Sequence, residues 1–396
     1  MTDRPFDPAR RRVLGYGLAG LGMIACGKLL SGCRVKSTFG DRKVISSDLV
    51  DSGVAGLLVP RGFSARVLAT SGAPVPGAEG YTWHAAPDGG ATFATEDGGW
   101  IYVSNSEINN GGGGVGALRF DAGGNVIAAY PILSNTSRNC AGGPTPWGTW
   151  LSCEEIDSGQ VWECDPYGEQ AARALPALGQ FMHEAAAVDP RTLQIYMTED
   201  RRDGRFYRFT PAAVNDGIPD LTDGVLEVAK VHGAVEGDVT WHRIEDVTGG
   251  SRPTRHQVDD STAFSGGEGA WHADGMVYFT TKGDNRIWAY DIDNARMLLV
   301  YDDDMLSPAI LTGVDNVTVS QQGTIYVAED GGNMEIVAID PEQRIFPVVR
   351  LMGQQESEIT GPAFDPSGTR LYFSSQRGFS GESSGGITYE VSGPFV

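Results

Sequence analysis

The chain has 396 residues, 41% hydrophobic and 20% charged, so it can bury a large core and its overall composition is not that of a disordered chain. Acidic residues outnumber basic ones 51 to 30, and the resulting field repels nucleic acid and anionic membrane surfaces while it is compatible with binding several cations. Fifty-four glycines favour many short strands joined by tight turns over long helices.

Residues 1–33 read as an export segment. Arg10, Arg11 and Arg12 precede an apolar, glycine-rich run to Leu30 and then Ser31, Gly32 and Cys33. Consecutive arginines suggest the twin-arginine route, which carries proteins already folded, often with a metal or cofactor inside. The ending at Cys33 looks like a lipobox, which would make Cys33 a lipid-anchored N-terminus of an envelope lipoprotein; the alternatives are a soluble periplasmic protein cut nearby and an uncleaved anchor. The apolar run is short and interrupted for a spanning helix. Without this segment the chain carries 25 basic and 49 acidic residues, a net charge near −24.

Residues 34–61 show little periodicity and read as a linker. From residue 62 the sequence repeats. IYVSNSE (101–107) is echoed by TWLSCEE (149–155), IYMTEDR (195–201), VYFTTKG (277–283), IYVAEDG (325–331) and LYFSSQR (371–377). Each copy has an aromatic in its second place and ends in polar residues, as a buried strand running into a turn does. The copies start 48, 46, 82, 48 and 46 residues apart, a spacing that suits one four-stranded propeller blade. The expected fold is therefore all-β: a six-bladed β-propeller spanning 62–396 as one domain and one monomer. The long interval marks an insertion within 212–263, with a degenerate seventh blade around 239–244 as the lesser alternative. The stretch 62–68 is placed to complete the blade formed by the C-terminus.

Three cysteines lie beyond the export segment. Cys153 and Cys164 fall on neighbouring predicted strands and could pair in an oxidising compartment, leaving Cys140 odd; equally, all three could stay buried and free.

The chemistry lies in how the repeats line up. Nine residues before the aromatic segments at 149, 277 and 325 stand Cys140, Glu268 and Asn316, and eleven before 195 stands Glu184. These positions begin the innermost predicted strands. The second strands end near Glu107, Glu154 and Glu155, Glu199 and Asp200, and Glu329 and Asp330. Adjacent strands run antiparallel, so the start of one and the end of the next share a rim. Crowded carboxylates are unfavourable unless cations neutralise them; oxygen ligands favour calcium and a thiolate adds preference for iron or zinc. Glu107 alone reads as a solvated turn residue. His183 and His272 adjoin the glutamates, but strand alternation turns them away. Neutral or basic residues in the fourth and sixth copies suggest acids crowding one side of the rim with Lys282 and Arg377 opposite, as an anionic substrate beside a metal cluster would need.

At these residues the sequence resembles the PhoX family of bacterial alkaline phosphatases. The resemblance spans roughly 80–380 and rests on NCAGGPTPWGTWLSCEE (139–155), HEAAAVD (183–189), FSGGEGAW (264–271), RIWAYD (286–291), Asp315 with Asn316, and EDG (329–331). It implies a six-bladed propeller, exported by the twin-arginine route, with a ferric iron–calcium cluster at one end of the channel. Cys140 would be the iron thiolate, with Glu184, Glu268 and acids of the pairs Glu154/Glu155 and Glu329/Asp330 nearby; Glu199, Asp200, Asp315 and Asn316 complete the candidate metal ligands. The sequence departs from the family where an arginine is replaced by Gly266, where a proline is replaced by Val314, and at QRG (376–378). Arg201, Lys282 or Arg377 would then supply the missing cation to the substrate.

The implied activity is an exported, metal-dependent hydrolase of small anionic phosphoesters, in which a metal-bound oxygen attacks phosphorus and the chain supplies ligation and orientation rather than a serine nucleophile. The alternatives are a calcium-dependent lactonase-like propeller, with the acidic rim but no iron, and a non-enzymatic envelope binding protein with a structural cluster.

Overall fold

A computed structural model describes residues 43–396. The export segment, with Arg11, Arg12 and Cys33, lies outside the described residues. The β-branched and aromatic repeats form antiparallel strands, and these fall into six four-stranded units in chain order. Their innermost strands are Pro87–Ala94, Asn139–Pro144, His183–Val188, Gly267–Ala273, Val314–Val319 and Ile359–Phe364. Each inner strand packs on the next, and the sixth packs back on the first, so the ring closes around a narrow channel. The result is an all-β fold of the propeller type.

Closure uses both ends of the described chain. Ser64–Thr70 pairs antiparallel with Ile387–Ser392 as the outermost strand of the sixth unit, so a strand from the N-terminal part completes the last sheet. Six hydrophobic clusters hold the ring, one between each neighbouring pair of units. The recurring aromatic in each second strand is the residue that bridges. Tyr102 and Tyr372 pack with ring centroids 5.0 Å apart, Tyr196 and Tyr290 5.5 Å apart, and Tyr326 meets Phe364 edge-on at 5.0 Å.

Two expectations change, and an alternative left open for the cysteines is decided. The segment read as a linker is folded from residue 43 onward: Leu49–Asp51 and Leu57–Pro60 extend the outer edge of the fifth unit, and Leu57 and Val59 are fully buried. Two alternating apolar residues are too few to register as periodicity. In the long interval, Gly224–His232 is the third unit's own fourth strand. Gly237–Arg243 pairs with it and reaches the edge of the fourth unit at Met297 and Arg296. The stretch read as the seed of a seventh blade is thus one strand strapping two units together, because no further strands accompany it. Finally, all three cysteines are free. Cys153 opposes Val161 while Cys164 opposes Trp150, so an odd offset puts the two thiols on opposite faces of one sheet.

Candidate metal centre

The inner strands carry a bulge at the same place in at least five units. In each, two residues oppose one on the second strand: Asp88–Gly89, Cys140–Ala141, Glu184–Ala185, Glu268–Gly269 and Asp315–Asn316. A bulge re-aims the side chain it holds, and here it brings Asp88, Cys140, Glu184, Glu268 and Asp315 together. Glycine lets the strands approach: a Cβ on Gly89 would stand 2.5 Å from the Ala141 Cα, and one on Gly269 2.7 Å from the Asn316 Cα. In the sixth unit the bulge falls at Gly361–Pro362, and the acid comes instead from Glu358, just before the strand.

A second tier comes from the ends of the second strands. Ser106, Glu154, Glu199, Thr281, Glu329 and Ser375 pair with residues of the inner strands at the start of each unit. The residues immediately after them are Glu107, Glu155, Asp200, Lys282, Asp330 and Gln376. Neighbouring residues of a strand point to opposite sides, so only one of each acidic pair can face the ring. Glu155 joins Cys140 and Glu184, whereas Glu154 accepts from the Ser137 and Gln160 amides at 3.0 and 3.3 Å. Asp330 joins Asp315 and Glu358, whereas Glu329 accepts from the Thr312 and Glu335 amides at 2.8 and 2.9 Å. Glu199 takes the Arg205 amide, the Tyr207 hydroxyl and Arg255. Glu154, Glu199 and Glu329 therefore tie loops rather than line the ring.

Four overlapping groupings offer ligand atoms within 4.8 Å of one another: Asp88, Glu107 and Cys140; Cys140, Glu155 and Glu184; Glu184, Glu268 and Asp315; and Asp315, Asp330 and Glu358. The predicted residues brought together are Cys140, Glu155, Glu184, Glu268, Asp315 and Asp330. Asn316 stands behind, donating to Asp315 Oδ1 at 2.8 Å while its Oδ1 accepts from the Gly361 amide at 2.6 Å. Asp88, Glu107 and Glu358 extend the acids around the channel, so they do not crowd one side as expected. Glu107 is a ring member and not a solvated turn residue. His183 stacks on Phe181 with its Nε2 bonded to the Gly179 carbonyl, away from the ring.

Basic groups sit among these acids. Arg138 bridges Glu107 at 2.8 Å and Glu155 at 2.5 Å, a role the sequence reading missed. Lys282 reaches Glu268 at 2.7 Å and Asp200 at 3.1 Å, and Arg377 reaches Glu358 at 2.7 Å. Gln376 donates to Asp88 and Glu107. Arg201 instead pairs with the exposed Asp157. Burial, then mutual repulsion, pushes the carboxyls of Asp88, Glu184 and Glu358 far up, that of Glu155 to about 9 and that of Asp315 to about 7. Burial followed by Asp88 and Glu184 raises the Cys140 thiol as well. For Lys282 burial works against the charge, but Glu268 and Asp200 outweigh it and raise its pKa.

Glu184 is the test of what belongs here. It is 0% exposed, and neither carboxylate oxygen has a hydrogen-bond partner. Buried polar groups are almost always satisfied, so two orphaned oxygens grouped with the Cys140 thiol and the carboxyls of Glu155, Glu268 and Asp315 fit a cation. A cavity of about 220 Å³ lies away from this chemistry, at the opposite channel mouth between Thr145, Val188 and His272.

Glu199 allows a check on the division of each acidic pair. Glu199→Ala is expected to lower unfolding stability by about 3 kcal/mol, because it strands Arg255 and a buried hydroxyl, while leaving bound metal unchanged. Denaturant titration with metal analysis would show the opposite pattern, intact stability and lost metal, if Glu199 were a ligand.

Comparison with known proteins bears on the family and the fold. The family model described as "Alkaline phosphatase PhoX" matches residues 83–160 and 157–299. The structure is similar to that of Pseudomonas fluorescens PhoX in complex with vanadate, a transition state analogue, with a TM-score of 0.71 at 16% identity, covering 90% of this chain and 98% of that one. A Bacteroides thetaiotaomicron protein of unknown function aligns at TM-score 0.51 and 10% identity, over 83% of this chain and 76% of its own. No curated protein sequence matches significantly. With more than half its length on the family model, the chain belongs to the PhoX alkaline phosphatase family.

Proposed function

We propose that this chain is an exported, metal-dependent phosphoester hydrolase whose acidic ring holds iron and calcium. The observation that carries the reading is Glu184, fully buried at the junction of two ligand groupings with both oxygens unpartnered. Iron would be held at Cys140 with Glu155 and Glu184, since among the described residues only that side of the ring offers a sulfur ligand. Calcium would be held by the all-oxygen groupings through Glu268, Asp315, Asp330 and Glu358. Bound cations neutralise the ring and supply Lewis acidity toward phosphate oxygens.

The chain's own contribution is electrostatic and positional. Arg138, Lys282 and Arg377 are partly exposed among the acids, and each carries a charge that draws a small phosphoester to the mouth. Gly266 places no guanidinium beside Glu268, so Lys282 is the nearest cation available for a phosphoryl oxygen there. Asn316 holds Asp315 in place, and Gln376 does the same for Asp88 and Glu107. Protein purified from its exported form should contain iron and calcium and release phosphate from p-nitrophenyl phosphate, with activity lost on chelation. Metal-free protein with undiminished phosphate release would reject this reading.

Export is proposed on Arg11 and Arg12. Replacing both with lysine is expected to abolish delivery to the envelope, measured by fractionation, and unchanged delivery would reject the twin-arginine route. Cys33 is the proposed site of lipid attachment, which metabolic labelling with a fatty acid reads directly.

A further inference from the structure

Lys282 breaks the pattern of the second tier. The register puts it where other units place Glu107, Glu155, Asp200 and Asp330, so one unit contributes a positive charge at a carboxylate position. Its Nζ lies 2.7 Å from Glu268 Oε1 and 3.1 Å from Asp200 Oδ2. Glu268 also belongs to the grouping with Glu184 and Asp315, whose ligand atoms lie within 4.8 Å of one another. Ammonium and a cation in that grouping therefore draw on the same carboxylate.

The seat for the lysine is built. The Lys282 amide donates to the Gly266 carbonyl at 2.9 Å, which fixes the two backbones side by side. A Cβ on Gly266 would stand 3.2 Å from Lys282 Cγ and 3.3 Å from Asp200 Oδ1, so any side chain there would crowd the stem. Gly266 also has φ +67°, a conformation suited to glycine. The lysine side chain is 39% exposed, so its head can swing outward without unpacking the core.

We propose that Lys282 is a resident counter-ion of the ring, holding Glu268 in the metal-free protein and competing with a divalent cation for the Glu184–Glu268–Asp315 grouping. Cation binding would displace the ammonium toward the mouth, where an anionic substrate arrives. The inference rests on the ring being a cation site, and it adds a regulation of that site: loading there is held back by a charge the chain itself supplies.

The test uses the mature exported protein, stripped with a chelator and titrated with calcium by calorimetry. Lys282→Met and Lys282→Gln should each bind calcium about 10-fold more tightly or better at one site, because a like charge has been removed from beside its ligand. The stripped variants should melt at lower temperature than stripped wild type, since Glu268 loses its partner. Lys282→Gln keeps the length and a donor, so it reports even if the methionine variant fails to fold. Wild type that takes up calcium while both variants bind no more tightly would overturn the lysine assignment alone. Wild type that takes up no calcium would overturn the cation-site reading and this one with it.

Discussion

Glu184→Gln is expected to remove most bound metal, cut phosphate release by about 10²-fold or more, and make the metal-free protein more tolerant of rising pH. The first two effects follow from its place at the junction of two ligand groupings, where a neutral amide replaces an anionic ligand. The third follows from linkage. A carboxyl whose pKa is raised on folding binds protons more tightly in the folded state. Its contribution to stability is whole below its unfolded value, about 4.3 for glutamate, and is lost as pH climbs through its folded value. Asp315 is pushed up to about 7 and Glu155 to about 9, with Glu184 also displaced upward by burial and by Glu268. Stripped wild type should therefore lose melting temperature steadily from about pH 4 toward pH 9, and Glu184→Gln should show a shallower fall. Parallel melting curves together with full metal content would take Glu184 out of the centre.

The sequence made the architecture legible because the blade repeats itself. The aromatic in the second place of each copy is conspicuous, and it packs between units for the same reason it is there in every copy. The ring was legible only in part. Cys140 and Glu268 emerged by counting back nine residues from the aromatic segments, and Glu184 by allowing a turn two residues longer. Asp88 stands thirteen residues before IYVSNSE, beyond a longer turn, and so fell out of register. The same count landed on Asn316, one residue past Asp315. The common device is the bulge after the first residues of the inner strand, and a bulge leaves no compositional mark unless glycine follows it, as at Gly89 and Gly269.

The paired acids show what could have been found. Strand alternation alone says that one of Glu154 and Glu155 faces the ring, and likewise for Glu199 with Asp200 and Glu329 with Asp330. Had one unit been anchored, the choice would have carried to the others, including Lys282 and Gln376. Glu358 could not be reached this way, since it precedes its strand and breaks the register of the other five units. Arg138 was equally hidden: it lies in the turn before Asn139–Pro144, with φ +48°, and only the fold shows that it spans Glu107 and Glu155.

Cys140→Ser should separate the two metals. Cys140 belongs to the groupings with Asp88 and Glu107 and with Glu155 and Glu184, and to neither of the groupings built around Asp315. A serine hydroxyl keeps the volume nearly unchanged but replaces a soft anionic ligand with a neutral hard one. In the metal-free protein the thiol is held protonated by burial and by the acids facing it, so only a bound cation would make the thiolate worthwhile. Iron content should therefore fall to a small fraction of wild type, and a sulfur-to-iron charge-transfer band should vanish with it. Calcium, for which Glu268, Asp315, Asp330 and Glu358 are the proposed ligands, should be largely kept. Were Cys140 only a buried thiol, the variant would lose a little packing and leave both metals in place. Elemental analysis beside the visible spectrum decides between these outcomes, and normal iron with an unaltered spectrum would remove Cys140 from the centre.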